Sequence, residues 1–351
     1  MTEAATDEVL FETRGPLGLV TLNRPKALNA LTLGMIQAMH DQLRAWETDD
    51  RVTRVAVQGS GGRAFCAGGD VRRIYEAAKA GQTEAMFTIW RGEYALVALM
   101  ARYGKPIVAL IDGIVMGGGV GISVHGPVRV ASESYAFAMP EVGIGFIPDV
   151  GTTALLPRLP GHAGTYLALT GSRIGAGDAL ALGLATHAAR AADFPAILDA
   201  LAAGGPIDQA LAAHAAPVPE AGPVIREASL IASCFSADSV QAILDRLDAA
   251  QDSAFAAETA RTIRLRSPTS LSLAHEQMRR GADMTVPEAI RTEYRLVTRI
   301  MRGHDFYEGV RAVLVDKDNR PAWQPATLEA VDPATIRAAF EPTGETEPGF
   351  T

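Results

Sequence analysis

Two acids, Glu141 and Asp149, each directly follow a proline, and the stretch between them, VGIGFIP, is almost wholly apolar. A proline fixes φ immediately before each acid. Apolar surroundings raise a carboxyl pKa, and a second acid nearby raises one of the pair further, as a general base or nucleophile near neutral pH requires. The alternative reading is that both acids cap helix N-termini. A third acid, Glu93, interrupts the helical stripe Met86, Trp90, Val97 and Met100 where an apolar residue is due. It therefore faces core or cleft. Substrate contact and a buried ion pair with Arg91 or Arg102 both fit that position.

Two glycine-rich turns offer backbone donors: Phe65-Cys66-Ala67-Gly68-Gly69-Asp70 and Gly117-Gly118-Gly119. Without a Cβ, the main chain lets a ligand carbonyl approach closely. Donors from two separate turns can form an oxyanion hole, each worth about 3 kcal/mol in the transition state. Close packing of helix on strand explains either turn alone, but the two together favour function. Residues 117–121 do not carry a dinucleotide fingerprint, because Ile122 and Val124 stand where the third glycine would be needed. GxxxxGK[ST] is also absent. Cys66 with His125 could form a Cys–His nucleophile, though a lone cysteine is better read as core filler. His304 and Asp305 lack a metal-ligand pattern and are read as structural.

The elements needed to hold these residues are legible in part. Residues 9–12 and 19–22 read as a strand pair turned at Gly15-Pro16, and residues 55–57 as a further strand. Ile36, Met39, Leu43 and Trp46 recur at helical spacing between them. Residues 107–111 give a strand, followed by the glycine turn and a helix, then short strands at 128–130 and 135–138. Strands alternating with helices imply an α/β layer architecture over residues 8–200. Residues 201–223 thin to Ala, Gly and Pro and read as a linker with a short helix, too broken for a core of its own. Residues 224–340 read as a helical region, with Val240, Ile243 and Leu247 and later Tyr294, Val297 and Met301 at helical spacing. Strand-like alternation returns only at 313–315, and a polar tail from about Glu341 reads as disordered. No internal sequence repeat is evident.

Composition narrows the partners. With 351 residues, 48% hydrophobic, the chain can bury a large core. It carries 32 basic and 40 acidic residues, a net charge of −8, which opposes binding to nucleic acid or anionic membrane. Two widely spaced cysteines suggest neither a disulfide framework nor a zinc site. The acidic start, MTEAATDEVLFETRG, is unlike a signal or transit peptide, so a cytoplasmic protein is expected. No run of about 18 apolar residues suggests a membrane span.

The segment Asn23-Arg24-Pro25-Lys26-Ala27-Leu28-Asn29-Ala30-Leu31, the turn 65–70 and the cluster 117–119 together resemble the crotonase, or enoyl-CoA hydratase/isomerase, superfamily. Within it, MGGGVGISVHG, MPEVGIGFIPDVG, SPTSLSLAHEQM and EYRLVTRIMRGHDFYEGVRAVLVDKD resemble the 3-hydroxyisobutyryl-CoA hydrolase branch over roughly residues 8–340. The resemblance implies an α/β fold of repeated ββα units with a helical C-terminal region. It puts the oxyanion-hole N–H groups on Gly69 and Gly118. Of the two glutamates that hydratases use, one maps to Glu141, while the other falls on Gly121. The hydrolase branch instead pairs the glutamate with an aspartate eight residues on, here Asp149.

Ala67, Glu93, Gly118, Glu141 and Asp149 are the implied substrate contacts, with Lys26 where crotonases meet the CoA phosphates. The implied activity is thioester hydrolysis in valine catabolism, by attack of Glu141 on the acyl carbonyl or by its activation of water. Asp149 would hold the 3-hydroxyl. Another crotonase activity, hydration or isomerisation, and a non-catalytic acyl-CoA-binding protein are the alternatives. No metal and no cofactor are expected beyond the coenzyme A of the substrate. Crotonases often form trimers, which suggests a homo-oligomer, although the C-terminal helices could instead fold back over their own site.

Overall fold

The computed structural model describes residues 7–250, 252–344, 347 and 349. Val9–Arg14 (β1) and Leu17–Leu22 (β2) form an antiparallel hairpin about Gly15-Pro16. Leu33–Glu47 (α1) follows, started by Thr32, whose hydroxyl accepts the Met35 N–H at 3.2 Å. Its apolar stripe, Ile36, Met39, Leu43 and Trp46, is wholly buried. Next come Arg54–Gly59 (β3), Ala64–Cys66 (β4), Val71–Lys79 (α2) and Thr83–Ala101 (α3). Ile107–Ile111 (β5), Ile114–Met116 (β6), Gly118–Gly121 (α4), Val128–Ala131 (β7), Ala136–Ala138 (β8) and His187–Ala188 (β9) complete the layer.

The strands make two sheets, one ordered β1-β2-β3-β5-β7-β9 and a smaller one ordered β4-β6-β8. Past the hairpin every pairing between these strands is parallel. Three times a strand of the large sheet is followed at once by a strand of the small one: β3 with β4, β5 with β6, β7 with β8. This is the repeated ββα unit, which sequence comparison within the chain does not reveal. The carboxyl ends of the adjacent strands β4, β6 and β8 run into Gly68-Gly69, Gly117-Gly118 and Pro140-Glu141 respectively. Parallel sheets present ligands at that edge, and here all three turns meet there.

The middle of the large sheet is buried on both faces, so β5 reads as a continuous apolar run. Ile107, Ala109 and Ile111 join the main core, while Val108 and Leu110 pack on the opposite side with Phe194, Ile197, Leu198, Leu201, Ala210 and Leu211. The stretch 201–223 thus does more than link. Leu201 closes the helix Phe194–Ala202, and Ile207–Ala212 adds Ala210 and Leu211 to the back of the sheet. The two leucines suffice because the sheet supplies the rest of the apolar surface, each buried leucine being worth about 1.5–3 kcal/mol.

Beyond β9 the described residues are helical or irregular. The helices Pro268–Arg280, Val286–Ile300 and Asp305–Val310 pack into the same apolar cluster as Val9 and Val20. Residues 313–315 are not a strand. They lie in a π-helical turn, Arg311–Val315, closed by the Asp316 N–H on the Arg311 carbonyl at 2.8 Å. The Arg311 guanidinium pins it through Glu308, Asp316 and Asp318. Much of the expected disordered tail lies outside the described residues. Within it, Glu347 accepts two hydrogen bonds from Arg295, at 2.6 and 3.0 Å.

Candidate active site

A cavity of about 510 Å³ opens at the shared edge of β4, β6 and β8. Its wall includes Ala67, Gly68, Gly69, Gly117, Gly118, Glu93, Glu141 and Asp149. Six of the seven residues singled out from sequence are therefore brought together. The seventh, Lys26, is exposed on the short turn Pro25–Ala27, and its neighbour Ala27 lines the cavity.

The first glycine turn is fixed by backbone bonds. Leu31 N–H donates to Gly68 O at 2.8 Å and Asp70 N–H to Leu31 O at 3.0 Å, a parallel bridge centred on Gly69. In such a bridge the flanking groups face the partner, so the N–H of Gly69 itself turns away from Leu31. The second turn enters α4 through Gly117 at φ +47°, and Gly68 lies at +103°, a region that favours glycine. Space explains Gly118 and Gly119. A side chain at Gly118 would collide with Glu93 Oε1, one at Gly119 with the Cys66 carbonyl, and a Cβ at Gly117 would stand 3.2 Å from Glu141 Oε1.

The three acids are all buried in the cavity wall. Glu93, on α3, and Glu141, on the turn Glu141–Ile144, are buried, and Glu93 Oε1 and Glu141 Oε2 have no hydrogen-bond partner among the described residues. Burial pushes Glu141 up to about 8; its own backbone N–H opposes this and the Glu93 charge adds to it. Burial raises Glu93 to about 7. Asp149 is held well above the usual carboxylate range by burial, then by the charges of Glu93, Glu141 and Glu293, against a hydrogen bond from Tyr94 at 2.8 Å. Three carboxyls that cannot all ionise together form a natural acid–base set.

Neither acid of the pair caps a helix with its side chain. Asp149 takes the Tyr94 hydroxyl, and the helix Thr152–Leu155 is capped from afar by Glu293, which accepts from Gly151 and Thr153 N–H at 2.7 and 3.0 Å. Arg91, offered as an ion-pair partner for Glu93, instead bonds Glu84 and, at 3.2 Å, the Tyr294 hydroxyl. Cys66 is buried with its thiol pushed up to about 12, and His125 Nε2 is taken by Val150 O at 2.8 Å. Asp305 accepts from Ser267 and Gln324 in a structural knot. No cluster able to hold a metal ion occurs among the described residues.

Several lining residues are not legible as site residues in the sequence. Trp90, Phe146 and Phe306 form an aromatic wall, with Trp90 stacked on Phe146 at 5.7 Å and Phe306 5.6 Å from Phe146. Arg266, Val313, Leu314 and Asn319 also line the cavity, so the C-terminal region folds back over the site of its own chain. Their spacing along the sequence is irregular, and only the tertiary fold joins them. At Gly121, where a second glutamate would fall, a Cβ would stand 2.7 Å from Val150 Cβ and 2.9 Å from Val97 Cγ2. That position is packed shut.

The family model described as enoyl-CoA hydratase/isomerase matches residues 17–340. The chain is 46% identical to the mitochondrial 3-hydroxyisobutyryl-CoA hydrolase of Rattus norvegicus, covering 98% of this chain and 91% of the relative. It is 45% identical to the Homo sapiens protein of the same name, covering 99% and 92%. Among solved structures it is similar to a carnitinyl-CoA dehydratase from Mycobacterium thermoresistibile, at TM-score 0.92 and 45% identity over 98% of this chain and 99% of that one. An enoyl-CoA hydratase from Rhodobacter sphaeroides follows at TM-score 0.91 and 38% identity, over 98% and 100%. The cytoplasmic placement expected from sequence does not stand against relatives that are named as mitochondrial. A low cysteine count reports a reducing environment, and more than one compartment supplies that.

Proposed function

We infer that this chain, which belongs to the enoyl-CoA hydratase/isomerase family, is an acyl-CoA thioester hydrolase that acts on 3-hydroxyisobutyryl-CoA in valine breakdown. The observation that carries this reading is the pairing of Glu141 with Asp149 around one cavity, beside glycine donors, while Gly121 has no room for a second glutamate. Relatives named as 3-hydroxyisobutyryl-CoA hydrolases match nearly the whole chain and support it. The structural neighbours bear hydratase and dehydratase titles. Their chemistry is less well matched, because a family hydratase places its other carboxylate where Gly121 stands.

In this reading the N–H groups of Gly69 and Gly118 hold the thioester oxygen, and each donor lowers the barrier by about 3 kcal/mol as charge develops. The Glu141 carboxylate attacks the carbonyl carbon, the C–S bond breaks, and coenzyme A leaves as a thiolate that takes up a proton. Water then opens the mixed anhydride, releasing the hydroxy acid and restoring Glu141. Direct activation of water by the same carboxylate gives the same products. Asp149 accepts or donates at the 3-hydroxyl and sets the acyl chain against Glu141. An unsubstituted acyl group gives Asp149 no partner beyond the Tyr94 hydroxyl it already holds, so it is discriminated against. Glu93 and Ala67 line the acyl and thioester end, and Lys26, beside Ala27 at the rim, serves the CoA phosphates. Coenzyme A arrives as part of the substrate, and the scheme calls for no other cofactor.

The test is release of free thiol from 3-hydroxyisobutyryl-CoA, with isobutyryl-CoA, crotonyl-CoA and the Glu141→Gln variant alongside. Glutamate-dependent release from the hydroxylated ester is the expected result. Consumption of crotonyl-CoA without thiol release would make the chain a hydratase, and binding without any turnover would make it an acyl-CoA-binding protein.

A further inference from the structure

The loop 148–153, which carries Asp149, is held in a conformation its own sequence does not favour. Val150 lies at φ +56° and Gly151 at +84°. A β-branched residue in the left-handed region persists only where its surroundings over-determine it. Two C-terminal helices supply most of that determination. Glu293, on Val286–Ile300, accepts the Gly151 N–H through Oε2 at 2.7 Å and the Thr153 N–H through Oε1 at 3.0 Å. Gln277, on Pro268–Arg280, donates through Nε2 to Pro148 O at 2.9 Å and to Thr153 Oγ1 at 2.7 Å. From the other side His125 Nε2 meets Val150 O at 2.8 Å.

The same helix reaches Asp149 by a second route. Asp149 bonds Tyr94, and the Tyr94 ring meets that of Tyr294, the neighbour of Glu293, edge-on at 6.4 Å. Glu293 and Gln277 are fully buried, and both Glu293 oxygens are taken up by backbone N–H groups. An acid so placed is costly to bury. What it gives is two acceptors on one rigid plane, which fix the directions of the N–H groups two and four residues after Asp149. A glutamine in its place has one acceptor.

We propose that Glu293, assisted by Gln277, is a positioning residue for Asp149, so that preference for a hydroxylated acyl chain is set from the C-terminal helices. This rests on the reading that Asp149 takes the substrate hydroxyl. The experiment measures kcat/KM of the full chain for 3-hydroxyisobutyryl-CoA and for isobutyryl-CoA, in wild type, Glu293→Gln, Gln277→Met and Asp149→Asn. A misplacement of about 1 Å lowers a rate by up to about 100-fold. The ratio of the two values is therefore expected to fall about tenfold or more in Glu293→Gln and Gln277→Met, through kcat for the hydroxylated ester, with its KM little changed.

A purely structural role would lower Tm and scale both substrates alike, so an unchanged ratio in folded variants overturns the proposal. If Glu293→Gln does not fold, Gln277→Met decides by the same criterion. Should Asp149→Asn itself keep the wild-type ratio, the hydroxyl-binding reading falls and this inference with it. Loss of the ratio in Asp149→Asn but not in the two clamp variants removes the positioning inference alone.

Discussion

Tyr94 donates its hydroxyl proton to Asp149 Oδ2 at 2.8 Å, from the residue directly after Glu93 on α3. One helix thus holds both a bare buried carboxylate and the partner of another. Removing the donor leaves Asp149 with no other side-chain hydrogen bond among the described residues, and a bond of this kind contributes about 0.5–1.5 kcal/mol. Tyr94→Phe is expected to lower kcat/KM for 3-hydroxyisobutyryl-CoA by about tenfold while isobutyryl-CoA changes less. Equal losses on both esters would show that Tyr94 supports only the fold.

The attacking form of Glu141 is its carboxylate, and burial, with the Glu93 charge adding to it, places the carboxyl at about 8. Hydrolysis should therefore rise with pH and level off above that midpoint, read as kcat/KM for the free enzyme. Glu93→Gln removes the neighbouring charge. The midpoint is expected to move to lower pH in that variant, and a profile that stays in place would detach Glu93 from the titration.

What the sequence makes legible follows its physics. The Ile36, Met39, Leu43 and Trp46 stripe and the alternation around Gly15-Pro16 are local patterns, and each became the expected element. Glu141, Asp149 and the two glycine turns were found because acids in apolar runs and adjacent glycines are rare and visible one by one. Glu293, Gln277 and Arg266 were not. They act on residues more than 90 positions away, across helices whose heptad-like spacing looks like ordinary core. Residues 313–315 misled for the opposite reason: three apolar residues imitate a strand, whereas the Asp316 N–H on the Arg311 carbonyl and the ion pairs of Arg311 with Glu308, Asp316 and Asp318 hold them in a turn.

The same acid makes the fold less stable than it could be. In the unfolded chain Glu141 titrates near 4.5, and in the folded one at about 8. Between those values the folded state keeps a proton that the unfolded state has lost, so this contribution to stability is full below 4.5 and declines as pH rises through 8. Glutamine never ionises. With about 1.4 kcal/mol per pKa unit, Glu141→Gln should raise Tm over wild type by more at pH 9 than at pH 5, the reverse of what loss of an ion pair would do. Thermal unfolding at the two pH values decides it.

Gly118 and Glu93 share a space that only one side chain can fill. Gly118→Ala keeps the backbone N–H but drives its Cβ onto Glu93 Oε1. Overpacking of this kind costs about 1–3 kcal/mol, and the displaced turn should lower kcat about 100-fold. Shortening the opposing acid relieves the clash. The double variant Gly118→Ala with Glu93→Ala is expected to recover Tm without recovering kcat, and simultaneous recovery of both would mean that the Glu93 carboxylate has no part in turnover.

Restoring a glutamate at 121 is the direct way to ask whether this chain is a hydratase that has lost one acid. A Cβ at Gly121 already stands 2.7 Å from Val150 Cβ and 2.9 Å from Val97 Cγ2, and Val150 is itself held at φ +56° by the clamp around loop 148–153. The neighbour that would have to move is the residue next to Asp149. Gly121→Glu is therefore expected to be destabilised by several °C in Tm, to lose thiol release, and to gain no hydration of crotonyl-CoA, followed as loss of the enoyl absorbance. Hydration that appears in Gly121→Glu would show that the cavity is built for water addition, with the packing at Val150 merely adapted to a missing side chain.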